Sequence, residues 1–251
     1  MIKGLYSAAS AMITGVYRQQ AVAHDIANVD TPGFKQILTS LDEFSKTYAY
    51  TQTSTNSLSS PDYLGILGLG VEAAPETTDF SQGVLKTSEN ELDLGIEGDG
   101  FFMIRTADGV RYTRDGRFSR DSSGRLVTID GNPVLSSANQ TITLTDGEVD
   151  ISVNGTIYVD GVQSGNIGLA YFEDLTTLTR DGENSFSSTI TPPTTGGGSI
   201  KQYALEQSNV DTAQLMTQMI EISRTYQAAQ QMVQNQDELL GKTISSLGRT
   251  S

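Results

Sequence analysis

The sequence predicts an α+β protein, in which the N- and C-terminal helices form a coiled-coil stem and an antiparallel all-β domain is inserted between them. Three observations carry this. Both ends hold long apolar stripes at heptad spacing. Asp-Gly or Asn-Gly pairs recur seven times between residues 99 and 161, and such pairs make tight hairpin turns. Stretches rich in Ser, Thr and Gly separate the β-rich part from the ends.

The N-terminal stripe comprises Leu5, Ala9, Met12, Val16, Gln19, Ala23 and Ile26, spaced alternately by four and three. Alanines at 8, 9, 11, 21, 23 and 27 keep this helix, about 3–28, thin enough for close neighbours. At 1.5 Å per residue it runs roughly 39 Å. It stops at "NVDTPGFK", residues 28–35. Thr31 precedes proline and is pushed away from helical angles. Pro32 and Gly33 suit the two central positions of a type II turn, with Gly supplying positive φ. Asn28 tolerates the left-handed conformation that ends many helices. Phe34 is expected to anchor the corner in apolar surroundings, with Lys35 at its edge.

Residues 36–70 read as a linker or extended loop: "TYAYTQTSTNSLSSPDYLGILGLG", 47–70, is poor in charge and rich in Ser, Thr and Gly. "GILGLG" at 65–70 lacks the strand, helix and lysine of a phosphate loop and reads as a flexible turn. The β-rich domain is placed at 71–200, with short runs such as "FFMIRT", "RLVTI" and "TIYV" between the turns. "STITPPTTGGGS", 188–199, reads as a linker. Residues 201–251 join 1–35 in the helical terminal domain. There Leu215, Met219, Ile222, Tyr226, Ala229, Val233, Gln236, Leu240 and Leu247 fall on one stripe, with Ile244 one residue out of step. Asp211 and Gln214 suit a capping box at its start.

Composition narrows the function. The 251 residues carry a net charge of −14 and no cysteine. Disulfides, thiolate metal sites and a cysteine nucleophile are therefore excluded. The acidity is concentrated: 36–200 holds nine bases and 23 acids, while each end is within one charge of neutral. Acidic surface repels phosphate backbones, so nucleic acid is not expected as a partner. Near-neutral ends pack against copies of themselves without large repulsion. No apolar run approaches the roughly 20 residues of a spanning helix, so membrane insertion is not expected. Lys3, "GLYSAASAMITGV" and "AVA" loosely imitate a secretory signal, but polar residues interrupt the apolar run and Arg18 precedes the would-be cleavage site. No cleaved signal is expected.

A catalytic centre is not legible. His24 is the single histidine and lies inside a helix, so neither a histidine metal cluster nor a Ser-His-Asp triad can be assembled from convergent partners. Glu97 and Asp99 sit in "GIEGDG", where turn chemistry already accounts for Asp99. No catalytic, cofactor-binding or metal-binding residue is expected.

The segment "GLYSAASAM…QQAVAHDIANVDTPGFK" resembles the N-terminal signature of bacterial flagellar rod and hook proteins, approximately A-N-x-x-T-P-G-[FY]-[KR]. Here it is carried by Ala27, Asn28, Thr31, Pro32, Gly33, Phe34 and Lys35. "FSQGVLKTSENELDLGIEGDGFFMI" and "RYTRDGRFSRDSSGRLVTIDGNPVL" resemble that family's β domain, and "LEQSNVDTAQLMTQMIEISRTYQAAQQMVQNQDELL" its C-terminal helix. The resemblance implies a non-catalytic axial protein that passes unfolded through the type III export apparatus without a cleaved signal. It implies assembly into a helical homo-oligomer beside other rod and hook proteins in the basal body, where the rod transmits torque from motor to hook. A chain of this length is similar to proximal or distal rod proteins, and "DLGIEGDGFFMI" is closer to the distal type. A second reading is a secreted adhesive or carbohydrate-binding β protein on a coiled-coil stalk, which predicts a closed trimer.

Overall fold

The computed structural model describes residues 2–44, 46–51, 62–182, 184–190, 192 and 197–247. The chain separates into two compact units. The first comprises 1–26, 37–77 and 212–251; the second comprises 27–36 and 78–211.

The first unit contains both long helices. α1 is Ile2–Ala27 and α2 is Thr212–Leu247, 26 and 36 residues long. α2 starts directly after Asp211, where the capping residue was expected. The helices run side by side in opposite directions: Gly4 lies against the side chain of Gln236, and Gly15 against Tyr226. On α2 the buried positions are Leu215, Ile222 and Ala229, all on the heptad stripe. On α1 they are Ala8, Thr14, Ala21, Val22 and Asp25. These are displaced from the stripe, of which Leu5, Ala9, Met12 and Ile26 are half-buried while Val16 and Ala23 are exposed. A 3.5-residue repeat drifts by about 20° per heptad on a straight 3.6-residue helix, so its members turn off the buried face.

Residues 36–70 are not a linker. They carry β1 (Ile37–Leu38), β2 (Leu41–Glu43), β3 (Lys46–Thr51) and β4 (Asp62–Gly68). β3 and β4 pair antiparallel, Tyr48 opposite Ile66 and Tyr50 opposite Tyr63. The alternating tyrosines place one side-chain set on one face, a period masked in the sequence by the Ser/Thr-rich residues 52–61, which lie outside the described residues. "GILGLG" accordingly ends a strand and is not a free turn. β2 pairs with β5 (Val71–Ala73), and β6 (Thr77–Thr78) follows. α1 supports this segment: both Asp25 carboxylate oxygens accept from the Ile37 amide at 3.2 Å, and Ser10 Oγ accepts from the Val71 amide at 3.2 Å.

The second unit is built on β7 (Leu85–Thr87), β8 (Leu94–Glu97), β9 (Phe101–Thr106), β10 (Gly109–Thr113), β11 (Phe118–Arg120) and β12 (Leu126–Thr128). It continues through β13 (Val149–Ile151), β14 (Thr156–Val159), β15 (Val162–Asn166) and β16 (Leu169–Ala170). It closes with β17 (Leu178–Arg180), β18 (Phe186–Ser188), β19 (Ser199–Gln202) and β20 (Ala204–Glu206). A five-stranded sheet runs β16-β9-β10-β18-β17, and β13-β14-β15 form a meander. β9 explains the unbroken apolar run "FFMI". Phe102 and Ile104 face one core with Leu94, Phe118, Leu126 and Ile157. Phe101 and Met103 face the other, with Tyr112, Leu178 and Phe186. A strand covered on both faces shows no polar alternation.

Six of the seven turn glycines have positive φ; the exception is Gly116. There a Cβ would lie 1.7 Å from the Leu94 carbonyl oxygen, so Gly116 serves close backbone approach and not turn handedness. The boundaries also differ from those expected from composition. The second unit runs to 211 and recruits 27–36, because β19 pairs with β8 and β20 with β7. Of the expected 188–199 linker, Ser188 ends β18 and Ser199 begins β19, while 191 and 193–196 lie outside the described residues.

Candidate functional site

The corner is built as its sequence dictates. The Phe34 amide donates to the Thr31 carbonyl at 3.3 Å across Pro32 and Gly33, and Gly33 has φ +71°. This is the type II arrangement. A Cβ on Gly33 would lie 2.4 Å from the Arg114 carbonyl carbon, so the position excludes a side chain by contact as well as by conformation. Asn28 does not adopt left-handed φ. It works through oxygens instead: its carbonyl accepts from the Thr31 amide at 3.1 Å, and its side-chain oxygen accepts from Thr31 Oγ1 at 3.1 Å. The Pro32 carbonyl accepts from Asn184 Nδ2 at 2.8 Å. Ala27 is exposed.

Phe34 is fully buried, with the Arg180 guanidinium 4.8 Å from its ring centre. Lys35 departs most from the sequence expectation. It does not stay at the edge of the corner; it is 1% exposed. Its Nζ donates to Glu206 Oε1 at 2.6 Å and to the Ser81 carbonyl at 2.7 Å. Glu206, also 1% exposed, further accepts from the Gly83 amide at 2.9 Å and Arg114 Nη1 at 3.0 Å. Arg114 Nη2 donates to the Gly98 carbonyl, and its guanidinium lies 5.1 Å from the Phe101 ring centre. One carboxylate thus serves two buried cations, and hydrogen bonds and an aromatic face take up the remaining charge. Burial pulls the Lys35 ammonium below its ordinary value; the Glu206 charge and hydrogen bond oppose that shift, and Arg114 adds to it. A lysine next to an aromatic carries no sequence sign of such a partner, which lies 171 residues away.

The seams differ from the corner in being half finished. Ile13, Val16, Ile220, Met232 and Ile244 are exposed. Met219, Tyr226, Val233 and Leu240 are half-buried, and Leu247 ends α2. Among the described residues no group of three or more His, Asp or Glu is placed to hold a metal ion. His24 and the Glu97 and Asp99 carboxylates are exposed. No described helix is long and apolar enough to cross a membrane.

Comparison with known proteins decides the family. Residues 95–159 match the flagellar hook protein FlgE/F/G D1 domain, and 201–247 match the flagellar basal body rod FlgEFG protein C-terminal domain. The flagellar basal-body rod protein FlgF of Caulobacter vibrioides is 34% identical over 99% of both chains. The chain belongs to the flagellar rod and hook-basal body protein family. Other members of this family include the rod protein FlgG of Bacillus subtilis, 32% identical over 98% of this chain and 99% of its own. The hook-basal body complex protein FlhO of the same organism is 31% identical over 99% of this chain and all of its own. Within the family match, β8 to β14 form the D1 portion, and β19, β20 and α2 form the C-terminal portion.

Proposed function

We propose that this chain is a non-catalytic axial subunit of the flagellar rod that assembles helically, its α1 and α2 seams closing only against other copies. The observation that carries this is the unfinished packing of the helical unit. α1 and α2 touch, yet Ile13 and Ile244 remain 72% and 70% exposed. Fully burying an isoleucine is worth about 1.5–3 kcal/mol, so stacking copies supplies a driving force that the single chain leaves unused. Head-to-tail contacts that do not close into a ring give a filament. The tyrosine face of β3–β4 offers a second apolar surface to neighbouring copies: Tyr48, Tyr50 and Tyr63 are each more than half exposed.

In this reading the subunit reaches the basal body through the type III export apparatus with no cleaved signal. It stands beside other rod and hook proteins and passes torque from motor to hook. The wording of 93–104 favours the distal over the proximal rod.

Removal of 1–30 or of 211–251 is expected to abolish polymerisation, followed by sedimentation of the purified chain at rising concentration. A truncated chain that still forms filaments overturns the seam model. A closed trimer of the full chain supports the stalked adhesive or carbohydrate-binding reading instead. Imaging basal bodies with the subunit labelled decides its level in the rod.

A further inference from the structure

The chain passes between the two units four times, at 26/27, 36/37, 77/78 and 211/212, and the adjoining segments 27–36 and 206–211 of the second unit are tied to each other. Lys35 Nζ meets Glu206 Oε1 at 2.6 Å. The Gly33 amide donates to the Glu206 carbonyl at 2.7 Å. The Gln36 amide donates to Asn209 Oδ1 at 2.8 Å. A third segment, 79–83, locks both. Asn209 Nδ2 donates to the Asp79 carbonyl at 2.9 Å and to Ser81 Oγ at 3.0 Å. Lys35 reaches the Ser81 carbonyl, the Asp79 amide donates to the Gln36 carbonyl at 2.9 Å, and the Gly83 amide reaches Glu206 Oε1.

We propose that these three segments, each next to a passage of the chain out of the second unit, form a mechanical clamp that opens as one cooperative element, so that the passages are held together and do not act as independent tethers. The grounds are chemical. The segments 27–36 and 206–211 meet through a buried ion pair, through the Gln36 amide on the Asn209 side chain and through the Gly33 amide on the Glu206 carbonyl. Opening the Lys35–Glu206 contact leaves buried charge unpaired, and the part-buried bonds of Gln36, Gly83 and Asn209 converge on the same three segments, which raises the cost of a partial opening above that of its separate bonds. Each contact therefore holds the others shut. The consequence for function rests on the rod reading: a clamp held closed carries torsional load that free linkers would dissipate.

The test is native-state hydrogen exchange on the full-length monomer, comparing the wild type with Asn209→Ala. Asn209 is only half-buried, so the variant retains the Glu206 cluster and the β cores. Exchange at the Gln36 amide is expected to accelerate tenfold or more. Exchange at Gly33 and Gly83, which Asn209 does not touch, is expected to rise with it, while the Arg105 and Leu135 amides in the core stay unchanged. Acceleration confined to Gln36 overturns the clamp. Should Asn209→Ala loosen the core as well, Asn209→Asp, which keeps the oxygen that accepts from Gln36 and loses the amide donors, is read by the same three amides. Exchange is measured on monomer, so failure of the clamp is distinguished from failure to polymerise, which sedimentation reads separately.

Discussion

Lys35 and Glu206 form a buried ion pair at 2.6 Å across 171 residues of chain. Glu206 is the only carboxylate bonded to both Lys35 and Arg114 among the described residues. Glu206→Gln is therefore expected to strand two buried cations and destabilise the second unit by about 3–5 kcal/mol. Urea unfolding followed by tyrosine fluorescence checks it through the shift in midpoint at constant slope. Glu206→Gln combined with Lys35→Met is expected to recover part of the loss, since one stranded charge is then removed. A double variant no better than the single one would show that Lys35 is not the group that suffers.

The same lysine predicts an alkaline pH dependence with a definite sign. Burial lowers its folded value below the ordinary 10.5, against the opposing pull of Glu206. Between that lowered value and about 10.5 the unfolded chain binds more protons than the folded one, so the lysine's contribution to stability rises with pH. Below this window its desolvation penalty is present in full. The difference in unfolding free energy between wild type and Lys35→Met is expected to move in favour of wild type as pH climbs through the window. A difference that falls with rising pH would mean the ion pair outweighs burial.

Gly33→Val is expected to disable the corner. It forces a β-branched residue to φ +71° and places a Cβ 2.4 Å from the Arg114 backbone. Backbone strain of this kind costs about 1–3 kcal/mol before the overlap is counted. Gly33→Ala shares the Cβ overlap and is expected to fail as well, only less severely. Circular dichroism melting of both variants, with sedimentation for assembly, provides the check; normal melting and normal filaments would show that the corner tolerates either conformation.

Legibility in the sequence followed the range of the forces involved. The Pro32–Gly33 turn and the capping position before α2 are local, and neighbouring residues announce them. The heptad stripe of α2 coincides with its buried positions at Leu215, Ile222 and Ala229. On α1 the most buried residues include Thr14 and Asp25, which a search for apolar spacing passes over because their burial depends on hydrogen bonds. Thr14 Oγ1 donates back to the Ser10 carbonyl, and Asp25 holds the Ile37 amide. The burial of Lys35 was invisible for the same reason at longer range. The β3–β4 hairpin was hidden by composition: its tyrosines alternate, but its charge-poor flanks read as a linker.

The last prediction separates folding from assembly within one helix pair. Leu215 is 1% exposed, so Leu215→Ala is expected to cost the monomer about 2–5 kcal/mol. Ile13→Asp and Ile244→Asp alter positions that the single chain leaves open to solvent, where substitutions change stability by only about 0.5 kcal/mol. If copies cover these side chains, a buried aspartate in each contact raises the critical concentration for polymerisation at least tenfold, equivalent to about 1.4 kcal/mol per added subunit. Melting temperature and sedimentation measured on the same samples resolve the two effects. Leu215→Ala should lose melting temperature at every concentration, whereas the two aspartate variants should melt as wild type and fail to pellet. Wild-type pelleting by both aspartate variants would place the intermolecular surface somewhere other than the open faces of α1 and α2.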